Sequence, residues 1–104
     1  NYFKQRNYGR AVTLFEESLK AYPTAETYYY LAISYQEMRE DERALKYLKE
    51  GVERFPKDSR LQRSLGMMYY QSGNEKEAKK IFEEVLRLSP DDRQVKFLIE
   101  RIPK

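Results

Sequence analysis

The 104-residue chain contains neither cysteine nor histidine. A disulfide framework, a Cys/His zinc site, a thiol nucleophile and an imidazole acid/base pair are therefore excluded from the outset. The side chains left to do chemistry are 17 Asp+Glu, 20 Lys+Arg and ten Tyr. The closest carboxylate pairs, Glu16-Glu17, Glu83-Glu84 and Asp91-Asp92, are adjacent in sequence. Neighbours on a helix do not share a face, so these acids cannot converge on one bond and read as solvated surface. The four glycines, Gly9, Gly51, Gly66 and Gly73, fall in helical patterns or a turn and form no phosphate-cradling loop. No catalytic activity, metal, cofactor or small-molecule substrate is expected. The chemistry that remains is recognition, by guanidinium and ammonium groups interleaved with aromatic rings.

Such side chains need elements to position them. An aromatic content of 14% is more than a disordered segment carries, so the chain is expected to fold, as one domain or a short array of repeats. No apolar run approaches the roughly 20 residues of a membrane span, and Asn1-Tyr2-Phe3-Lys4-Gln5-Arg6 is not the start of a signal peptide. Without an initiator Met, the sequence reads as a processed chain or a fragment of a longer one. Its lack of cysteine fits a cytoplasm and a bacterial periplasm equally.

Three segments align: Arg10-Ala11-x3-Phe15-x7-Pro23, Arg43-Ala44-x3-Leu48-x7-Pro56 and Glu77-Ala78-x3-Phe82-x7-Pro90, with alanines and prolines recurring at a nearly constant interval. A second signature precedes two of them, Tyr28-x2-Leu31-Ala32-x2-Tyr35 and Gln62-x2-Leu65-Gly66-x2-Tyr69. Apolar and small residues at i, i+3, i+4 and i+7 mark one helix face, so each unit predicts helix, tight turn, helix. Ala11, Ala32, Ala44, Gly66 and Ala78 let helix backbones approach, while Phe15, Tyr35, Leu48, Tyr69 and Phe82 fill the volume around them. Asn7, Asp41 and Asn74 are expected to cap the second helices, Ser72-Gly73-Asn74 to turn, and the prolines to close each unit.

These motifs resemble the tetratricopeptide repeat, a helix-turn-helix unit of roughly 34 residues carrying W-x2-L-G-x2-Y, then A-x3-F, then P. Tyr28 and Gln62 stand in place of Trp, Ala32 of Gly and Leu48 of Phe, and the Gln62 departure is expected to weaken one interhelix contact. The resemblance covers nearly the whole chain and implies an all-α, right-handed superhelical solenoid. Its expected division is a partial repeat over 1–23, with Tyr2 at the family's first-helix tyrosine, full repeats over 24–57 and 58–90, and a capping helix over 91–104. That last helix carries Val95, Leu98, Ile99 and Ile102 as its apolar stripe and starts from Ser89-Pro90-Asp91-Asp92, with Ser89 as the capping hydroxyl.

The resemblance further implies a scaffold whose first helices line a concave groove for a peptide or helix of a partner protein. On the helix from Glu26 to Met38 a second stripe, Tyr29, Tyr30 and Ile33 among it, lies outside the signature face. The next first helix offers Arg60, Arg63, Met67 and Tyr70, and the cap Arg93, Lys96, Phe97 and Glu100, with Phe3 and Lys4 approaching from the other end. The candidate partner-binding residues are Tyr29, Tyr30, Ile33, Arg60, Arg63, Met67 and Tyr70. Arg60 and Arg63, three apart, are expected to reach the same stretch of a ligand with apolar anchors and acidic residues. The bland alternative is that Tyr29 and Tyr30 pack between helices.

One subclass of the family grips the C-terminal carboxylate of heat-shock chaperones with Lys and Asn on one first helix, Asn on the next, and Lys and Arg on the third. Here Tyr30 occupies the middle Asn position and Ser64 that of the second cation. A register shifted by one repeat sets Ile33 at an Asn site and Phe97 at a cation site, so chaperone C-terminus capture is not expected. RNA binding is a minor alternative: the pI is about 9.0, but acids such as Glu40-Asp41-Glu42 and Asp91-Asp92 break up any single-sign stripe. The main alternative to partner binding is a structural spacer or a self-association module forming a homo-oligomer.

Overall fold

The computed structural model describes residues 8–102. Six helices follow one another: α1 (Tyr8–Ala21), α2 (Ala25–Glu37), α3 (Asp41–Arg54), α4 (Ser59–Gln71), α5 (Glu75–Leu88) and α6 (Arg93–Arg101). No strand occurs among the described residues. Each helix packs on the next, and α2 also touches α4 directly, so α2 and α4 run side by side on one flank of a superhelical solenoid measuring 41 × 24 × 21 Å. This is the all-α architecture that the repeat pattern predicts.

The apolar periodicity explains the packing. α3 buries Ala44, Leu48 and Gly51, and α5 buries Ala78, Phe82 and Val85, both at i, i+4, i+7. One core cluster spans α1 to α4 around Tyr28, Leu31, Tyr35, Leu48 and Leu61. A second joins Ala78, Phe82 and Val85 to Val95 and Ile102, with Leu98 and Ile99 half-buried against it. Gly66 marks a close approach of α4 and α5, because a Cβ placed there would lie 2.6 Å from the Phe82 ring. Gln62 is buried, and its amide donates to the Pro56 carbonyl at 3.0 Å. The substitution of the family's Trp thus trades an apolar contact for a polar tether to the preceding loop. At the equivalent place Tyr28 meets Phe55 edge-on, with ring centroids 6.2 Å apart.

Helix starts fall into two kinds, and the capping expectations are corrected accordingly. Thr24, Asp58 and Asp92 are the N-caps of α2, α4 and α6, each with extended backbone and a side-chain oxygen accepting from the N–H three residues on. α2 therefore starts at Ala25, and α6 is capped by Asp92, not by Ser89, which instead ends α5. Asp41 is already the first residue of α3, and Asn74, although it precedes α5, makes no side-chain cap hydrogen bond. The reason is the turn before them. The Glu40 N–H donates to the Tyr35 carbonyl and Arg39 to Gln36, while Asn74 donates to Tyr69 and Gly73 to Tyr70. This pairing is a Schellman motif, which carries the chain straight from one helix into the next. It leaves Glu40 and Asn74 at ψ 68°, short of the extended values, 95° to 154°, at the three side-chain caps. Asn7 and Tyr2 lie outside the described residues.

Candidate partner-binding groove

Because the three side-chain caps, Thr24, Asp58 and Asp92, recur at one constant interval, α2, α4 and α6 carry the same register relative to their caps. Tyr29 on α2, Arg63 on α4 and Phe97 on α6 occupy equivalent positions one turn past their caps, and Ile33, Met67 and Arg101 occupy the next turn along.

The seven candidate residues separate into two groups and two singletons. Tyr29 and Tyr30 are half-buried and meet edge-on at 5.4 Å, and Arg60 reaches across from α4 to lay its guanidinium 4.9 Å from the centre of the Tyr29 ring. Tyr30 stacks on Phe15 of α1 with centroids 6.1 Å apart. Both tyrosines therefore pack against neighbouring helices, as the bland alternative has it, while keeping part of each ring at the surface. Met67 and Tyr70, also half-buried, rest on the second core cluster, with the Tyr70 ring 6.4 Å from that of Phe82. Ile33 is a half-buried singleton on α2.

Arg63 is the second singleton, and here the sequence expectation is corrected. Its Nη1 donates to Oδ2 of Asp92 at 3.2 Å, so it turns toward the start of α6 while Arg60 turns toward Tyr29. The two guanidiniums thus point to different partners, Asp92 for Arg63 and the Tyr29 ring for Arg60. Asp92 uses both oxygens, Oδ1 to cap α6 and Oδ2 to hold Arg63. Asp58 likewise caps α4 with Oδ1, while its Oδ2 stands 3.8 Å from Arg60. Phe3 and Lys4 lie outside the described residues.

On the opposite side, between α1 and α3, an open recess of about 460 Å³ has Glu16, Lys20, Tyr28, Lys46 and Tyr47 in its lining. Glu16 corrects another expectation. It is half-buried rather than solvated, and one oxygen accepts from the hydroxyls of Tyr35 at 2.7 Å and Tyr47 at 2.9 Å. These two rings stack 5.7 Å apart, nearly parallel at 4°. Burial first, and then the Glu16 carboxylate, push the Tyr35 and Tyr47 hydroxyls above the usual tyrosine range. Nothing in the sequence separates Glu16 from Glu17, since its two partners lie 19 and 31 residues further along the chain. Among the described residues no cluster of acids could hold a metal, and no helix is long and apolar enough to cross a membrane.

Comparison with known proteins agrees with this fold. A family model described as YpiA-like C-terminal tetratricopeptide repeats matches residues 23–92, and a second tetratricopeptide repeat model matches residues 1–37. The chain belongs to the tetratricopeptide repeat family. No curated protein matches it. Among solved structures, the second such domain of human RPAP3, in complex with the HSP70 peptide SGPTIEEVD, is 26% identical, with a TM-score of 0.85 over 99% of this chain and 87% of that one. The first such domain of Spaghetti (RPAP3), bound to the HSP90 peptide SRMEEVD, is 22% identical with a TM-score of 0.88, covering 97% of this chain and 81% of that one. The second likeness concerns the fold.

Proposed function

We propose that this chain is a protein-interaction scaffold whose α2/α4/α6 flank holds an acidic, apolar-anchored segment of a partner protein, and that it binds rather than catalyses. The observation that carries this reading is the Tyr29–Tyr30 pair with the Arg60 guanidinium lying on Tyr29. Half-exposed aromatic surface supplies an apolar anchor site, and a cation held over it supplies a partner for a carboxylate. Arg93 and Lys96, exposed on α6 and without an ion pair among the described residues, extend the positive rim. The RPAP3 domains similar to this chain were solved with acidic peptides, which supports a groove of this kind. Tyr30 and Ser64, at the positions where the chaperone-binding subclass carries Asn and a cation, favour an internal acidic-hydrophobic segment over a chaperone C-terminus as the ligand.

The test is a peptide-array screen with acidic-hydrophobic segments, followed by titration of the best binder. Tyr29→Ala should weaken binding about tenfold without altering its salt dependence, whereas Arg60→Glu should weaken it at least as much and flatten the salt dependence. Lys79→Glu/Lys80→Glu on α5 should leave affinity unchanged. Loss of binding in that control, with both groove variants binding normally, would place the partner on the α5 side and overturn the proposal.

A further inference from the structure

The equivalent caps of α2, α4 and α6 differ in what else their side chains hold. Thr24 spends its one side-chain oxygen on its own helix, meeting the N–H and the hydroxyl of Thr27. Asp58 caps α4 with Oδ1, and its Oδ2 faces Arg60 of the same helix at 3.8 Å. Of the three, only Asp92 reaches another helix: Oδ1 accepts from the Val95 N–H at 3.1 Å to cap α6, and Oδ2 accepts from Arg63 of α4 at 3.2 Å. The Asp92 side chain is 11% exposed, whereas both partners of each surface pair on α3 and α5 are at least 36% exposed. Solvent and salt therefore weaken this pair less than they weaken those.

Such a tie matters at α6 because little else holds it. It has nine residues against 13 or 14 in the other helices, and an isolated helix of that length does not persist in water. It packs chiefly on α5, through buried Val95 and Ile102 with half-buried Leu98 and Ile99, and its remaining residues are exposed. Order in α6 thus depends on docking, and docking on few side chains. α5 is better secured, because it also packs on α4 at the Gly66 crossing, where Phe82 and Ile81 close around the missing side chain.

We propose that α6 is a strap that opens separately from the rest of the solenoid, and that Arg63 and Asp92 form the latch that sets how often it opens. One carboxylate both starts the helix and fastens it. Releasing Arg63 frees the end from which α6 is capped, so the first turn and the docked face are lost together. Opening uncovers Phe82 and Val85, which are fully buried while α6 is docked. Arg63 is a positioning residue for α6 in this reading, which stands whether or not the flank binds a partner.

The experiment uses the whole chain and amide hydrogen exchange read residue by residue by NMR. In the wild type, amides 96–101 should exchange about tenfold or more faster than those of the buried faces of α3 and α5. Asp92→Asn keeps a capping oxygen but loses the carboxylate, and Arg63→Met keeps the stem but removes the donors. Each should speed α6 exchange by about three- to tenfold and leave α2 and α3 unchanged. The double variant should add little to either, because both changes remove one contact. Arg63→Lys should restore part of the protection. Raising KCl to about 1 M should speed α6 exchange in the wild type and in Arg63→Lys, and much less in Arg63→Met. Wild-type protection in Arg63→Met, or additive losses in the double variant, would overturn the latch. Exchange of α6 at the same rate as α3 and α5, or a rise that spreads to α2 and α3 in the variants, would overturn the strap.

Discussion

The hairpins α2–α3 and α4–α5 share one backbone pattern and the signature residues Leu31/Leu65, Tyr35/Tyr69 and Ala44/Ala78, but differ at the pair of residues that fill the crossing. Both turn through the same pair of Schellman hydrogen bonds, from Glu40 and Arg39 in one and from Asn74 and Gly73 in the other. Inside the crossing the second hairpin sets Gly66 against Phe82, and the equivalent positions of the first are Ala32 and Leu48, all four buried. Where the helix residue loses its methyl, the facing residue gains a ring. The exchange offsets a smaller residue on one helix with a larger one on the other, the kind of compensating swap that close-packed cores tolerate.

The largest expected effect follows from removing the larger member of the tighter pair. Phe82→Ala should cost roughly 3–5 kcal/mol, because the side chain is fully buried and joins α5 to α4 and α6, whereas exposed Glu83→Ala should stay within about 0.5 kcal/mol. Chemical denaturation of the two variants measures the difference, and similar losses at both would mean that the α5 faces are misassigned.

A smaller effect probes the pairing itself. Gly66→Ala places a Cβ 2.6 Å from Cε1 and 2.8 Å from Cδ1 of Phe82, with Ile81 at 3.2 Å, so it should overpack the crossing by about 1–3 kcal/mol. Combining it with Phe82→Leu recreates the Ala32/Leu48 pair and should recover part of that loss. A double-mutant cycle reads the coupling directly. Simple additivity would show that the two hairpins reach their shared geometry by independent means.

The repeat period, the helix order and the small-residue crossings are legible because each is a local pattern that returns once per repeat, as Ala11, Ala44 and Ala78 do. The capping residues are less so. Asn74 and Asp41 have the right side chains, and only the backbone of a Schellman turn disqualifies them, whereas Asp58 and Asp92 gain their role from an extended ψ that no side-chain type announces. Among the candidate residues, the Tyr29 and Arg60 stripes are readable from helical spacing, but the turn of Arg63 toward Asp92 depends on a contact across 29 residues. Glu16 is the hardest case, since its burial is created jointly by α2 and α3.

Glu16 supplies a difference between the hairpins that pH can reveal. Tyr47 occupies in α3 the place of Ile81 in α5, and its hydroxyl donates to Glu16. Tyr47→Phe should cost about 1 kcal/mol at neutral pH, as the loss of one hydrogen bond to a carboxylate that keeps Tyr35. The native environment raises the Tyr47 pKa above its unfolded value of about 10, so the protonated phenol is the favoured form. Stability from this source is complete below about pH 10 and is lost as pH rises from there toward the folded-state pKa. The wild-type midpoint should therefore fall faster than that of Tyr47→Phe above pH 10, and parallel alkaline profiles would remove Tyr47 as the cause.

The turns give the smallest expected effect and the cleanest contrast. Arg39 sits at φ 61° and Gly73 at φ 89°, both in the left-handed region, at the same step of the same motif. An L-residue there costs roughly 1–2 kcal/mol relative to its relaxed backbone, a penalty that glycine escapes. Glycine gives back about 0.5–1 kcal/mol through the greater freedom of its unfolded chain. Arg39→Gly should therefore stabilise by about 0.5–1 kcal/mol, seen as a higher denaturant midpoint at unchanged slope. Gly73→Ala should do the opposite and by more, because φ 89° is farther than φ 61° from the left-handed minimum that a Cβ tolerates. Nothing lies within 4 Å of a Cβ at Gly73, so the loss there reports backbone conformation alone, without overpacking. If Arg39→Gly instead destabilises, the arginine side chain contributes something that its exposed position does not reveal, and the two turns are alike in hydrogen bonding but not in energy.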